Sequence, residues 1–259
     1  MPYFTSGDIK TFYEIHGRGD PLLLIHGLGS CSRDWEMQIG SFADHFTVIT
    51  IDLRGHGRSE KPPGPYDMTR FAGDAASLLE GLGISPAHVL GISLGGMVAF
   101  QLVLDYPSLV QKLVIVNSVP ALVPCGIGDL LGYWNRMLII NIMGMEKMGR
   151  VLAKAFFPEP GQFELREIFV RRWSENHKPS YRASLKAAYG WSVRERLGEI
   201  RVPTLVIGAD GDYFPTAAKE AYTALIPGAK LEVIENSKHA LPAEKPDEFN
   251  QVVEAFLLS

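Results

Sequence analysis

The chain contains few cysteines and no excess of positive charge. Cys31 and Cys125 are its only two cysteines, and neither has a second Cys or His at metal-ligand spacing, which excludes a disulfide scaffold. Two free thiols in a reducing compartment are expected, and a single disulfide between them is the alternative. Lysine and arginine number 25 against 29 aspartates and glutamates, a net charge of −4. No excess of positive charge is therefore available for a phosphate backbone, and no nucleic-acid partner is expected.

Targeting and membrane signals are also missing. The first eight residues, MPYFTSGD, contain neither a basic stretch nor an apolar stretch, so no secretory signal is predicted and a cytoplasmic location is expected. The longest nearly apolar run, from Met137 to Met145, is interrupted by Asn141. It reaches only about half of the length that spans a bilayer. We therefore predict no integral membrane segment.

Nucleotide and metal motifs are incomplete or absent. Gly27-x-Gly29 lacks the third glycine of a dinucleotide-binding fingerprint, and residues 91–96 lack the lysine of a phosphate-binding loop. No spacing of the H-E-x-x-H or C-x-x-C type occurs. The sequence therefore predicts neither a cofactor nor a bound metal.

The sequence does contain short apolar runs that alternate with helical patterns, which is typical of a mostly parallel sheet covered on both faces. The fold class is therefore predicted to be α/β. Helices are expected at residues 35–42, 69–82, 217–225 and 246–257. Strands are expected at residues 9–15, 22–25, 48–51, 89–92, 113–116, 204–207 and 231–234, with a hairpin from the first of them back to residues 3–5.

The alternation of strands and helices breaks between about residues 120 and 202, where the patterns are helical only. We therefore predict one α/β core domain, residues 1–119 and 203–259, and a helical insertion, residues 120–202. The insertion is rich in methionine and aromatic side chains, which favours an adaptable apolar pocket. Ordinary helix packing is the alternative explanation of the same stripe.

A candidate nucleophile lies in the sequence Gly-Ile-Ser-Leu-Gly-Gly at residues 91–96, between a predicted strand and a predicted helix. This G-x-S-x-G setting is typical of a nucleophile elbow. Gly91 and Gly95 would remove side chains that collide in so tight a turn, and Gly96 would let the helix pack closely. Ser93 would then stand at the head of a helix whose dipole favours negative charge. An inert serine in a glycine-rich turn is the alternative.

A serine needs a base, and the base needs an acid to orient it. His239 is the only histidine after the last predicted strand, and it is the predicted base. Asp210 and Asp212 both lie on the loop after the preceding strand, so both are candidate acids. We prefer Asp212 because Pro215 opens the next helix and fixes the exit of the loop, whereas Asp210 suits the turn with Gly211. The order Ser, Asp, His matches that of the G-x-S-x-G enzymes.

The tetrahedral intermediate of acyl transfer also needs hydrogen-bond donors for its oxyanion. The backbone N–H of Leu94, directly after the serine, is one candidate, and the backbone N–H of Leu28, in a turn of small residues, is the second. His26 lies at a strand end, where a structural hydrogen bond is expected. The sequence RGHGRS at residues 54–59 is interpreted as loop architecture.

These motifs together resemble those of the α/β-hydrolase superfamily along nearly the whole chain. The resemblance rests on residues 26–29, 52–59 and 91–96 together with Asp212 and His239. It implies a central, mostly parallel sheet of about eight strands flanked by helices. It also implies that residues 120–202 form a helical cap over the active site and that hydrolysis proceeds through an acyl-serine.

Within that superfamily the chain is most similar to small carboxylesterases and to 3-oxoadipate enol-lactonases. Ser93 disagrees with haloalkane dehalogenases and epoxide hydrolases, which carry aspartate at that position. Ala240 stands where carbon–carbon hydrolases typically have tryptophan, which disfavours that reaction. Lys238 replaces the usual glycine before the histidine, a change that does not touch the chemistry.

The expected function is therefore a serine esterase that acts on small to medium, largely apolar carboxylic esters. A specialised enol-lactonase or acyl-carrier methyl-ester hydrolase is the main alternative. A carbon–carbon bond hydrolase and a receptor-like ligand-binding member of the fold are weaker ones. The partner is a small-molecule ester, and the sequence does not indicate an oligomeric state.

Overall fold

A computed structural model of the chain describes residues 3–124 and 126–259. Its centre is one eight-stranded sheet in the order β1-β2-β4-β3-β5-β6-β7-β8. The strands are β1 (Tyr3–Ser6), β2 (Ile9–His16), β3 (Asp20–Ile25), β4 (Phe46–Ile51), β5 (Ala87–Ile92), β6 (Val110–Val116), β7 (Thr204–Ala209) and β8 (Lys230–Ile234). The α-helices are α1 (Glu36–Ala43), α2 (Met68–Gly81), α3 (Leu94–Asp105), α4 (Ile127–Phe156), α5 (Phe163–Ser174), α6 (Lys178–Ala188), α7 (Thr216–Thr223), α8 (Leu241–Glu244) and α9 (Pro246–Leu257).

The sheet is antiparallel at one edge and parallel elsewhere. β1 and β2 form the predicted hairpin, with Ser6 opposite Ile9 and Gly7 at a φ of 56° in the turn. β2 pairs antiparallel with β4, and the pairs from β4 through β3, β5, β6 and β7 to β8 are parallel. The mostly parallel eight-stranded sheet expected from the resemblance is thus confirmed.

Both faces of the sheet are covered, which explains why its central strands are continuous apolar runs. In β3, Leu23 and Ile25 belong to the buried cluster shared with α2 and α3. Leu22 and Leu24, on the opposite face, belong to the cluster shared with α1 and α9. Successive strand side chains point to opposite faces, so each of the strands β3 to β7 contributes to both clusters.

The predicted insertion lies between β6 and β7 and contains α4, α5 and α6. These helices share a buried cluster of their own, which includes Met148, Trp173 and Tyr181. Two features were not predicted: an isolated β-bridge between Ala121 and Ser192, which joins the start of the segment to its end, and a kink in α4 at Gly144, where φ is 81°. In the part of the chain that the structure describes, no helix has both the length and the apolarity needed to cross a bilayer.

Candidate functional site

Ser93 occupies a strained turn between β5 and α3. Its φ of 55° lies in the left-handed region, which a residue with a side chain adopts only when the surroundings impose it. A Cβ on Gly91 would lie 2.2 Å from the carbonyl oxygen of Gly95, and a Cβ on Gly95 would lie 2.1 Å from that of Ile25. A Cβ on Gly96 would lie 2.5 Å from the Cβ of Ser118. As the sequence suggested, side chains at Gly91 and Gly95 would collide within the turn, and the absence of one at Gly96 lets α3 pack closely.

Asp212 and His239 meet at the carboxyl edge of the sheet, on the loops that follow β7 and β8. The Nδ1 atom of His239 lies 2.7 Å from Oδ1 of Asp212. Asp210 lies on the same loop, but its carboxylate accepts the backbone N–H groups of Asn236 and Ser237, both at 3.0 Å. The structure thus brings Asp212, and not Asp210, into contact with the histidine.

The two predicted oxyanion donors lie on either side of Ser93. Leu94 is the first residue of α3, so its backbone N–H has no acceptor within the helix. A Cβ on Gly27 would lie 3.4 Å from the Cβ of Ser93, which places the turn that carries Leu28 directly against the serine. Leu28 and Leu94 both line the cavity described next.

A cavity of about 450 Å³ lies between the sheet edge and the α4–α6 segment. Ser93, His239 and Tyr213 line its floor, and most of its other walls are apolar. Apolar side chains of α4 and α5 and of the connection between them form these walls: Leu152, Phe156, Phe157, Leu165, Ile168, Phe169 and Trp173. The volume lies in the range typical of small-molecule sites.

A family model described as the alpha/beta hydrolase fold matches residues 20–246. The chain belongs to this family. Carbamate hydrolase RutD of Azorhizobium caulinodans is 32% identical over 99% of this chain and 98% of its own length. 3-Oxoadipate enol-lactonase 2 of Acinetobacter baylyi is 30% identical over 99% and 98%. The enol-lactonase of Burkholderia xenovorans LB400 superposes with a TM-score of 0.92 at 24% identity, covering 100% of both chains, a likeness that concerns the fold.

In this α/β hydrolase a tyrosine that the sequence analysis missed lies between the serine and the histidine. The Tyr213 hydroxyl is 2.9 Å from Nε2 of His239 and also interacts with the Ser93 side chain. Among the described residues, no hydrogen bond joins Ser93 to His239 directly. Tyr213 is 53% exposed and lines the cavity. A tyrosine in a loop carries no periodic signal that would have revealed this contact.

The electrostatic surroundings favour a neutral histidine beside an ionised aspartate. Burial lowers the pKa of His239, and this outweighs the opposing effect of Asp212. Burial raises the pKa of Asp212, but its hydrogen bonds and charge interactions with His239 and Lys219 outweigh burial and hold the pKa below its ordinary value. Nδ1 therefore donates to the carboxylate, and Nε2 is left as the basic atom.

A buried lysine is the second residue that sequence analysis missed. The side chains of Lys219 and Asp212 are both 0% exposed, and Nζ lies 2.7 Å from Oδ2 of Asp212 and 2.6 Å from the carbonyl oxygen of Phe214. Gly208 makes room, since a Cβ there would lie 2.8 Å from Cδ of the lysine. Lysine is almost never fully buried unless it is paired. Lys219 thus fixes the carboxylate oxygen that the histidine does not use.

Replacing Lys219 by methionine is expected to move the acid limb of the pH profile to higher pH. Protonation of Nε2 removes the base, and the lowered pKa of His239 places the wild-type midpoint below about 6.5, the ordinary histidine value. The lysine charge is one cause of that lowering, so its removal raises the pKa. The test is kcat/KM against pH for wild type and K219M, with K230M, an exposed lysine, as the control. An unmoved limb in K219M would contradict the assigned role.

Two other polar side chains near the site, His26 and Asp52, have structural roles. His26 contacts the carbonyl oxygen of Gly27 through Nδ1, at 2.8 Å, and accepts the N–H of Leu53 at Nε2, at 3.0 Å. The carboxylate of Asp52 accepts two backbone N–H groups of neighbouring loops. Both ring nitrogens of His26 are thus occupied, and the loop interpretation of residues 54–59 agrees with these contacts.

Cys31 is buried and carries a free thiol. Cys125 itself lies outside the described residues. Across residues 3–124 and 126–259, no group of three or more His, Cys, Asp or Glu side chains is placed to hold a metal ion.

Proposed function

We propose that the protein is a serine hydrolase that cleaves small to medium, largely apolar carboxylic esters through an acyl-enzyme intermediate. Ser93 is the nucleophile, His239 the general base and Asp212 the acid that orients the base. The observation that carries the proposal is the 2.7 Å contact between Nδ1 of His239 and Asp212, next to a strained serine that opens onto an apolar cavity. An oriented histidine near such a serine supports acyl transfer by a serine, histidine and aspartate triad.

The reaction begins when the Tyr213 hydroxyl leaves Nε2 of His239 and the Ser93 hydroxyl takes its place. Nε2 removes the Ser93 proton while Oγ attacks the ester carbonyl carbon, and the N–H groups of Leu28 and Leu94 hold the oxyanion. The leaving alcohol then takes the proton from His239 as the carbon–oxygen bond breaks. Water attacks the acyl-serine by the same route and releases the acid.

Residues 120–202 act as the cap in this proposal. They supply the apolar side of the cavity, so their packing selects the acyl or alcohol group of the substrate. Apolar walls bind such groups through burial, which contributes roughly 25 cal/mol for each Å² removed from water. This favours esters with several methylene groups over acetate.

Lactone hydrolysis is the second candidate. It is favoured by the 30% identity to the enol-lactonase of Acinetobacter baylyi. The same groups would open a lactone, since only the leaving oxygen stays attached to the acyl chain. A carbamate substrate, suggested by the name of the RutD relative, again presents a carbonyl carbon to Ser93.

The proposal is tested on the wild-type protein with p-nitrophenyl esters from acetate to laurate, a lactone and a carbamate. We expect ester turnover with an optimum at medium chain length, because the cavity walls are apolar. A fluorophosphonate should add to Ser93, located by intact mass and peptide mapping. Serine hydrolysis would be contradicted if no substrate were turned over and the phosphonate did not label Ser93.

A further inference from the structure

Arg136 of α4 is a cation in the wall of the active-site cavity, and no carboxylate of the described residues forms an ion pair with it. It lines the cavity together with Ser93 and His239. Among residues 3–124 and 126–259, no carboxylate lies within the 4 Å ion-pair distance of its guanidinium. Arg136 is half-buried, so a substrate that fills the cavity would take its charge further out of water, which is costly unless a partner of opposite charge is supplied. A group from outside the chain is therefore the natural partner of Arg136.

The guanidinium is held at one end and free at the other. Its Nε donates to the hydroxyl of Tyr181 at 2.7 Å, and its carbon lies 5.6 Å from the centre of that ring. Tyr181 is buried, so it is a rigid anchor. The two terminal amino groups make no hydrogen bond with the described residues. A planar guanidinium with both amino groups free matches a carboxylate in two parallel bonds.

The second arginine of the cavity differs from Arg136 because it forms ion pairs. Arg172 also lines the cavity, but its amino groups contact Asp34 and Glu36, each at 2.8 Å. Its charge is thus balanced within the protein. The third carboxylate of the lining, Asp129, lies about two turns before Arg136 on α4. Arg136 remains the cavity cation that lacks an ion pair within the described chain.

The position of Arg136 relative to the reacting groups supports a role toward substrate. Burial lowers the pKa of His239 and the positive charge of Arg136 adds to this lowering. Burial raises the pKa of Tyr213, and the same charge opposes that rise. An anion bound to Arg136 would therefore lie in the same cavity as the ester carbonyl. Most of the walls are apolar, and the charge of the other wall arginine, Arg172, is balanced by Asp34 and Glu36. An arginine without such a pair in these walls therefore calls for a ligand.

We propose that Arg136 binds a carboxylate of the substrate, so that the preferred substrates are esters or lactones that carry a carboxylate away from the scissile bond. This inference rests on the proposed function and narrows its substrate class. The apolar walls would hold the chain between the ester and the carboxylate. Tyr181 is the positioning residue that aims the guanidinium.

The test compares esters of the same acyl length that differ in whether, and where, they carry a carboxylate. 4-Nitrophenyl hexanoate is the neutral parent, mono-4-nitrophenyl adipate carries a carboxylate at the end of the acyl chain, and 3-carboxy-4-nitrophenyl hexanoate carries it on the leaving group. For R136Q we expect the ratio of kcat/KM on an anionic ester to that on the neutral parent to fall about 10- to 100-fold for at least one anionic ester. R136K should retain part of the ratio, because it keeps the charge.

R182Q is the matched control, since it removes an exposed arginine of α6 that does not line the cavity. Its ratio should stay within about threefold of wild type, as expected when no charge-assisted bond to the substrate is lost. The inference is overturned if R136Q leaves both ratios unchanged, or if it lowers neutral and anionic turnover equally. An equal loss would show that Arg136 acts only through its contact with Tyr181.

A binding measurement separates this inference from the proposed function. Calorimetry on the S93A variant with monomethyl adipate needs no turnover. We expect adding R136Q to weaken the Kd about 10- to 100-fold. If wild type hydrolyses no ester but this difference in Kd is found, the proposed function fails and the carboxylate site stands. An unchanged Kd overturns the carboxylate site whatever the turnover.

Discussion

Replacing Ser93 by alanine is expected to lower kcat for 4-nitrophenyl hexanoate about 10⁴- to 10⁶-fold, the range found when a nucleophile that acts as one unit with its base is removed. The side chains of His239 and Asp212 would remain in contact, but no Oγ would be left to form the acyl-enzyme. Oxyanion donors and substrate binding alone account for the residual rate. Steady-state and single-turnover kinetics measure the loss.

The fold of S93A should be unaffected, which makes the loss specific to chemistry. Alanine keeps the Cβ and therefore the same backbone strain at a φ of 55°. The matched control is S118A, because Ser118 is a neighbouring serine whose Oγ donates to the carbonyl oxygen of Ser93 at 2.6 Å. We expect S118A to lower kcat less than about tenfold, the cost of one hydrogen bond. Comparable losses in the two variants would contradict Ser93 as the nucleophile.

The core of the fold could be predicted because its signals are local. Strands β3 to β7 are buried on both faces, so each contains a short, mostly apolar run that can be recognised without knowledge of distant contacts. The kink at Gly144 and the bridge between Ala121 and Ser192 could not be predicted in this way. Each depends on how the α4–α6 segment packs, and a short apolar helix pattern does not specify that packing.

In the candidate site, too, the residues set by local sequence could be predicted, and those set by distant contacts could not. Gly91, Ser93 and Gly95 lie in one turn of six residues, so the sequence alone indicates where a side chain would collide. In the structure a Cβ on either glycine would collide with the backbone. Lys219 and Arg136 act across the fold. A signal was present for both: Lys219 shares a helical face with Tyr222, and Arg136 lies on a face between Tyr133 and Ile140. A charge within an apolar stripe marks a buried partner or a ligand, but the sequence does not say which.

Replacing Asp212, the aspartate that contacts His239, is expected to cause the second large loss of activity. D212N is expected to lower kcat about 10⁴-fold at neutral pH. An amide can donate to Nδ1 as well as accept from it, so the imidazole can adopt the tautomer that places its proton on Nε2 and cannot take the proton of Ser93. Lys219 would also lose the carboxylate that balances its buried charge, so thermal stability should fall with activity. Kinetics and thermal unfolding on the same preparation measure both losses.

D210N is the matched control for this change, with the same chemistry two residues away. The Asp210 carboxylate accepts two backbone N–H groups, which hold its pKa low and tie its loop to the loop before His239. An asparagine side chain retains an oxygen that can accept, so D210N should lower kcat less than about tenfold. The pair separates a carboxylate that orients the base from one that shapes the loop. If D210N caused the larger loss, the acid of the mechanism would be Asp210, and the 2.7 Å contact of Asp212 with His239 would be structural.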